Sequence, residues 1–219
     1  MKKIIVLALF LAVTFSTFAQ EKTDKPQMKT LFGNNDRIRH GGYGGILINY
    51  SQLNDKDLKN KDAILVGARG AWIIDHHFAI GIGGMGFASQ NKFNNDSDDY
   101  VLGGGYGGLI FEPILAPFNV VNVSFPILVG AGGAAYTKYF EDQDYEDDDY
   151  YWDRYDASAF FVVEPGVEIN LNLVKFMRVS FGGYYRYTSG LNLENPNGIT
   201  NKELLNGFSC GLGLKFGKF

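Results

Sequence analysis

Between Ala159 and Leu173 every second residue is apolar: Ala159, Phe161, Val163, Pro165, Val167, Ile169, Leu171 and Leu173. The residues between them, Phe160, Val162, Glu164, Gly166, Glu168, Asn170 and Asn172, are polar along most of the run. The next segment repeats the pattern, with Met177, Val179, Phe181, Tyr185 and Tyr187 opposite Arg178, Ser180, Gly182, Tyr184, Arg186 and Thr188. Alternation this long marks β-strands whose two faces meet different environments.

Further segments read the same way. Val121, Val123, Phe125, Ile127 and Val129 share a face opposite Asn122, Ser124, Gly130 and Gly132, and Ile64, Val66, Trp72 and Ile74 oppose Gly67 and Arg69. Strands are expected at 42–52, 62–74, 77–89, 100–112, 117–139, 157–173, 176–189 and 204–219. Gly83-Gly84 and Gly103-Gly104-Gly105 interrupt two of them, which predicts bulges or sharp coiling there.

The connections alternate in length. Asn54–Lys61, Gln90–Asp99, Phe140–Asp156 and Gly190–Lys202 are long, while Asp75-His76, Pro113–Pro117 and Val174-Lys175 are short. Short turns on one rim and long polar loops on the other are the pattern of membrane β-barrels. After residue 19 no apolar run approaches the length of a membrane helix, so a membrane location requires a closed barrel.

The start of the chain predicts export. Lys2 and Lys3 precede an apolar run from Ile4 to Val13, and Thr17-Phe18-Ala19 places small residues before a cleavage after Ala19. The expected organisation is a signal peptide over 1–19, a polar periplasmic arm over 20–40 and a barrel domain over 41–219. Removing Lys2 and Lys3 leaves 18 basic residues against 24 acidic ones, a net charge of −6, with no basic stripe for nucleic acid. The single cysteine, Cys210, makes no internal disulfide.

Leu212, Leu214, Phe216 and Phe219, with the glycine-rich opening Gly41-Gly42-Tyr43-Gly44-Gly45, resemble the family of small, roughly eight-stranded bacterial outer-membrane barrels of the OmpA/OmpX type. The resemblance covers most of the chain as a pattern. It implies an all-β, antiparallel up-and-down transmembrane barrel, outer-membrane lipid as its surroundings, and recognition of Phe219 by the barrel-insertion machinery. Phe219 is out of step with the 212/214/216 face, so either the last residues bulge or its ring is placed differently.

If the apolar faces look into lipid, Arg69, Glu164, Glu168, Arg178 and Arg186 point inward together with Asn170 and Asn172. Charges in so narrow an interior must be paired. Glu164 and Glu168 lie on the strand next to Arg178 and Arg186, which suggests pairing between those neighbours. The network is either a salt-bridged plug that specifies the barrel or the lining of a narrow ion or solute path.

Residues 141–156 hold nine acids, one arginine and five aromatics. They read either as a solvated loop with interfacial aromatics or as a surface for a divalent cation or an extracellular partner, through Asp144, Glu146, Asp147, Asp148, Asp149 and Trp152. The spacing lacks the glycine and the later glutamate of an EF-hand.

No enzyme, cofactor or metal site is expected. His40, His76 and His77 all fall toward the short-turn side, and no His–Ser–acid set can be assembled at the long-loop rim. Three readings follow: a structural or surface-interaction barrel of the outer membrane, a narrow channel, or a soluble exported lipocalin-like barrel whose apolar faces line a cavity.

Overall fold

The computed structural model describes residues 40–54, 62–92, 99–139, 154–194 and 198–219. The long strands are β1 (His40–Gln52), β2 (Asp62–Ile74), β3 (Phe78–Lys92), β4 (Asp99–Leu115), β6 (Ile127–Tyr139), β7 (Arg154–Val174), β8 (Met177–Ser189) and β11 (Gly207–Lys218). A short β5 (Val121–Ser124) continues the line of β6, and β9 (Leu193–Glu194) pairs with β10 (Thr200–Asn201) in a small hairpin. Each long strand pairs antiparallel with its neighbours in sequence, and β11 returns to pair with β1, so the sheet closes as an eight-stave up-and-down barrel. Closure leaves no unpaired edge.

The sorted connections are present. The β2–β3, β4–β5 and β7–β8 links take three, five and two residues, while those after β1, β3, β6 and β8 leave from the opposite rim. At the β2–β3 turn Asp75 and His76 both adopt left-handed backbone conformations, and the His77 amide closes back on the Ile74 carbonyl at 3.3 Å.

Three expectations are corrected. The fifth strand does not run unbroken over 117–139: residues 117–120 belong to the turn, and Phe125-Pro126 divides β5 from β6. Proline lacks the amide a ladder needs, so pairing lapses there while the facing of the side chains is kept. Second, the glycine clusters make no bulges. The β3–β4 register runs unshifted from Phe78↔Pro113 to Lys92↔Asp99, and the shifts fall instead at Tyr136/Thr137 and Asn172/Val174. Third, the last strand begins at Gly207 rather than 204, because Leu204 and Leu205 turn into the barrel mouth.

The inward glycines explain themselves by contact. A Cβ on Gly132 would meet the Phe160 ring at 2.8 Å, and one on Gly166 or Gly182 would collide with the Tyr184 ring. Bare backbone on one stave makes room for a large side chain from another, as a narrow bore requires.

The two faces of the wall are opposite in character. Ile46, Ile48, Ile64, Ile82, Phe161 and Phe208 lie exposed on the outside, while Glu112, Glu168, Asn170, Arg178, Arg186 and Lys215 are buried within.

Candidate functional site

The lumen is the chemically distinctive region. Toward the short-turn rim, Glu168 of β7 lies at the centre of a cluster drawn from seven staves. Its Oε1 accepts from the Arg69 guanidinium of β2 and, at 2.5 Å, from the Tyr184 hydroxyl of β8. Its Oε2 accepts from Lys215 Nζ of β11 at 2.7 Å and from Ser124 of β5 at 3.5 Å. Four donors fill the acceptor sites of one carboxylate. Lys215 is equally saturated: its three protons go to Glu168, to Glu112 Oε1 of β4 at 2.9 Å and to Asn170 Oδ1 at 3.1 Å. Glu112 accepts a further bond from the Tyr43 hydroxyl of β1.

Arg178 of β8 stands beside this cluster on different terms. Its Nε donates to Asn172 Oδ1 at 2.7 Å, and its guanidinium lies 4.1 Å from the centre of the Phe219 ring. Among the described residues no carboxylate bridges it.

Toward the long-loop rim the chemistry thins out. Tyr106 donates to Glu164 Oε2 at 2.6 Å, and Arg186 approaches the same carboxylate at 3.9 Å. Arg186 spends its other donors on the Leu205 carbonyl at 2.8 Å, Ser51 at 3.2 Å and Tyr106 at 3.4 Å.

Both ends are closed by apolar residues. At the loop rim Leu53, Leu65, Leu102, Leu191, Leu204 and Leu205 pack into one buried cluster. The segment carrying the last of these is tied down by Asn54 N–H to the Leu204 carbonyl at 2.9 Å, and by Asn206 Oδ1, which accepts from Thr188 N at 2.7 Å and Oγ1 at 2.8 Å. At the turn rim Tyr43, Ile73, Ala79, Ile114 and Phe219 form a second cluster. Between them lies a void of about 30 Å³ next to Asn49, Arg69, Leu128, Glu164 and Tyr184. That is room for a water or two.

The structure therefore buries all five sequence-expected lumen charges, Arg69, Glu164, Glu168, Arg178 and Arg186. Of the pairings that neighbouring strands suggested, Glu164 with Arg186 is present at 3.9 Å, whereas Glu168 is held by Arg69 and Lys215 rather than by Arg178. Lys215, Glu112, Tyr43 and Tyr106 were missed as partners. Lys215 was legible, since it alternates with Leu214 and Phe216 and must face inward. Glu112 follows the glycine-rich stretch of β4, where few side chains report the alternation.

Phe219 resolves the register question without a bulge. The β1–β11 pairing runs unshifted from Ser51↔Ser209 to Gly42↔Lys218, so Phe219 turns inward, where it is buried against Tyr43 and Arg178. The acidic run with Asp144, Glu146, Asp147, Asp148, Asp149 and Trp152 lies outside the described residues, as do the signal-like start and all of the arm except His40. At the turn, His76 is buried and His77 is exposed with a hydrogen bond to the Asp75 carbonyl at 2.7 Å, and both rings lie against Phe118. The same burial holds the His76 imidazole below its ordinary pKa of 6.5.

No protein-family model and no curated protein matches this chain. Among solved structures it is similar to Ail, the attachment invasion locus protein of Yersinia pestis, at 12% identity and a TM-score of 0.47, covering 82% of this chain and 99% of that one. It is also similar to Neisserial surface protein A, at 10% identity and a TM-score of 0.49, covering 83% of this chain and 98% of that one.

Proposed function

We propose that this chain is an integral outer-membrane barrel with a filled lumen, which acts as a structural or surface-interaction protein through its long-loop rim. The observation that carries the reading is the inversion of the wall. A soluble lipocalin-like barrel keeps its apolar face inside around a ligand, whereas here, among the described residues, seven charged side chains are buried within and Ile46, Ile64, Ile82, Phe161 and Phe208 face out. So continuous an apolar exterior needs a non-aqueous solvent. Thirteen-residue strands such as β1, β2 and β8 exceed the roughly 9–11 residues that cross a bilayer core when tilted. Exposed aromatics gather toward both rims, with Trp72, Phe176 and Phe216 at the turn end and Tyr50, Tyr187 and Phe208 at the loop end, as interfacial girdles do. The signal-like start ending at Ala19 supports export.

A filled bore favours the plug over the narrow channel. The surface role then falls to the long loops, among them the acidic run over 141–156, whose candidate ligands are a divalent cation or an extracellular partner.

Fractionation tests the location. The protein should sediment with the outer membrane and migrate anomalously on gels until boiled; recovery in the soluble periplasmic fraction would overturn the reading. Planar bilayers test the plug: silence is expected, and steady unit conductance from the wild-type barrel would favour the channel. Calorimetry with millimolar calcium tests the acidic loop, and an absence of heat would retire the cation.

A further inference from the structure

Two polar atoms of the lumen are left over, and their residues border the same space. Arg69 Nε and Asn49 Oδ1 are buried and have no hydrogen-bond partner among the described residues. Both residues line the void of about 30 Å³ between the two apolar closures. Strand register explains why they share it. Asn49 of β1 pairs with Leu65 of β2, and Arg69 is two inward positions further along that strand. From the other side the void is lined by Glu164 of β7 and by Leu128, its partner on β6.

The chemistry of these groups selects the occupant. One is an N–H that can only donate and the other is an amide oxygen that can only accept, so the missing partner must do both. Charge asks for nothing more: the Arg69 guanidinium is answered by Glu168, and Glu164 by Arg186 and the Tyr106 hydroxyl. An ion would bring a charge with no counterpart into a desolvated bore. The volume is that of one or two waters, and Leu47, Met85, Ile110 and Leu128 shut out anything larger. Left unpaired, both polar atoms would carry the full cost of leaving water.

We propose that the void in the middle of the lumen is a binding site for one long-lived water, which accepts from Arg69 Nε, donates to Asn49 Oδ1 and gives its second proton to Glu164. The water joins two groups of side chains into one network. Through Arg69 it reaches Glu168, Lys215 and Glu112, and through Glu164 it reaches Tyr106 and Arg186. The site concerns the interior alone and stands whatever the long loops recognise.

The test uses the full chain folded in detergent micelles with isotope-labelled arginine. The Arg69 Nε–H resonance should show cross-relaxation at the water frequency, with NOE and ROE of opposite sign, as a held water requires. Relaxation dispersion of the water oxygen counts the site independently of any one protein resonance. Leu128→Phe fills the void, so it should abolish the cross-peak and lower the dispersion amplitude by about one water. Equal dispersion amplitudes in the two proteins would overturn the proposal. So would a wild-type NOE and ROE of the same sign, which report proton exchange with bulk solvent rather than a held molecule. Should Leu128→Phe fail to fold, Asn49→Leu keeps the bulk and removes one acceptor. It should weaken the cross-peak several-fold, and full intensity would overturn the site.

Discussion

The two halves of the lumen fill similar space by different means. The turn half is built from charge: Glu168 and Lys215 use nearly every acceptor and donor they possess, on Glu112, Asn170, Ser124, Tyr184, Arg69 and each other. The loop half is built from leucine, with Leu65, Leu102, Leu191, Leu204 and Leu205 around a long ion pair between Arg186 and Glu164. The difference follows from what each half must join. At the turn end the staves are tied by short links, and rigid walls can hold a polar network in register. At the loop end the chain leaves the barrel for long excursions, and non-directional apolar packing tolerates the looser geometry.

The comparison is broken most directly at its charged centre. Glu168→Gln removes the carboxylate that Arg69 and Lys215 share and leaves uncompensated buried cations, so it should destabilise the barrel by about 3–5 kcal/mol in denaturant titrations. Next is Leu205→Ala, which removes buried bulk from the mouth. It should cost about 2–4 kcal/mol. With Leu204→Ala added, unit conductance in bilayers should appear only if the leucine cluster is the tighter closure. Continued silence would place the seal in the charged half.

Glu164→Gln should cost less than Glu168→Gln, about 1–2 kcal/mol, because its ion pair is long and the charge-assisted bond from Tyr106 is the main loss. Equal costs for the two glutamates would erase the contrast. The smallest effect lies outside the lumen. The depressed pKa of His76 means that the fold favours the neutral ring, so this contribution is present above about pH 6.5 and is lost as pH falls below it. His76→Asn, which tolerates the left-handed backbone, should flatten that part of the stability–pH curve.

The fold and the site were legible to different depths. The β7 and β8 alternations, the short turns and the inward facing of Arg69, Glu164, Glu168, Arg178 and Arg186 were all readable, because facing is set by a period of two within one strand. The glycine-rich β3 and β4 misled toward bulges: without side chains a strand carries no periodic signal, and only the unshifted pairing shows that it runs straight. Glu112 was hidden for the same reason.

What the chain determined by itself is which side chains share a face, and therefore that this wall is apolar on one side and charged on the other. Which charge meets which was decided only by closure of the barrel. Glu168 and Arg69 are 99 residues apart, and Lys215 and Glu112 are 103. Glu164 meets Arg186 of the adjacent strand, but side chains in a narrow bore point toward the axis, and there Glu168 meets Arg69 and Lys215 from non-adjacent staves.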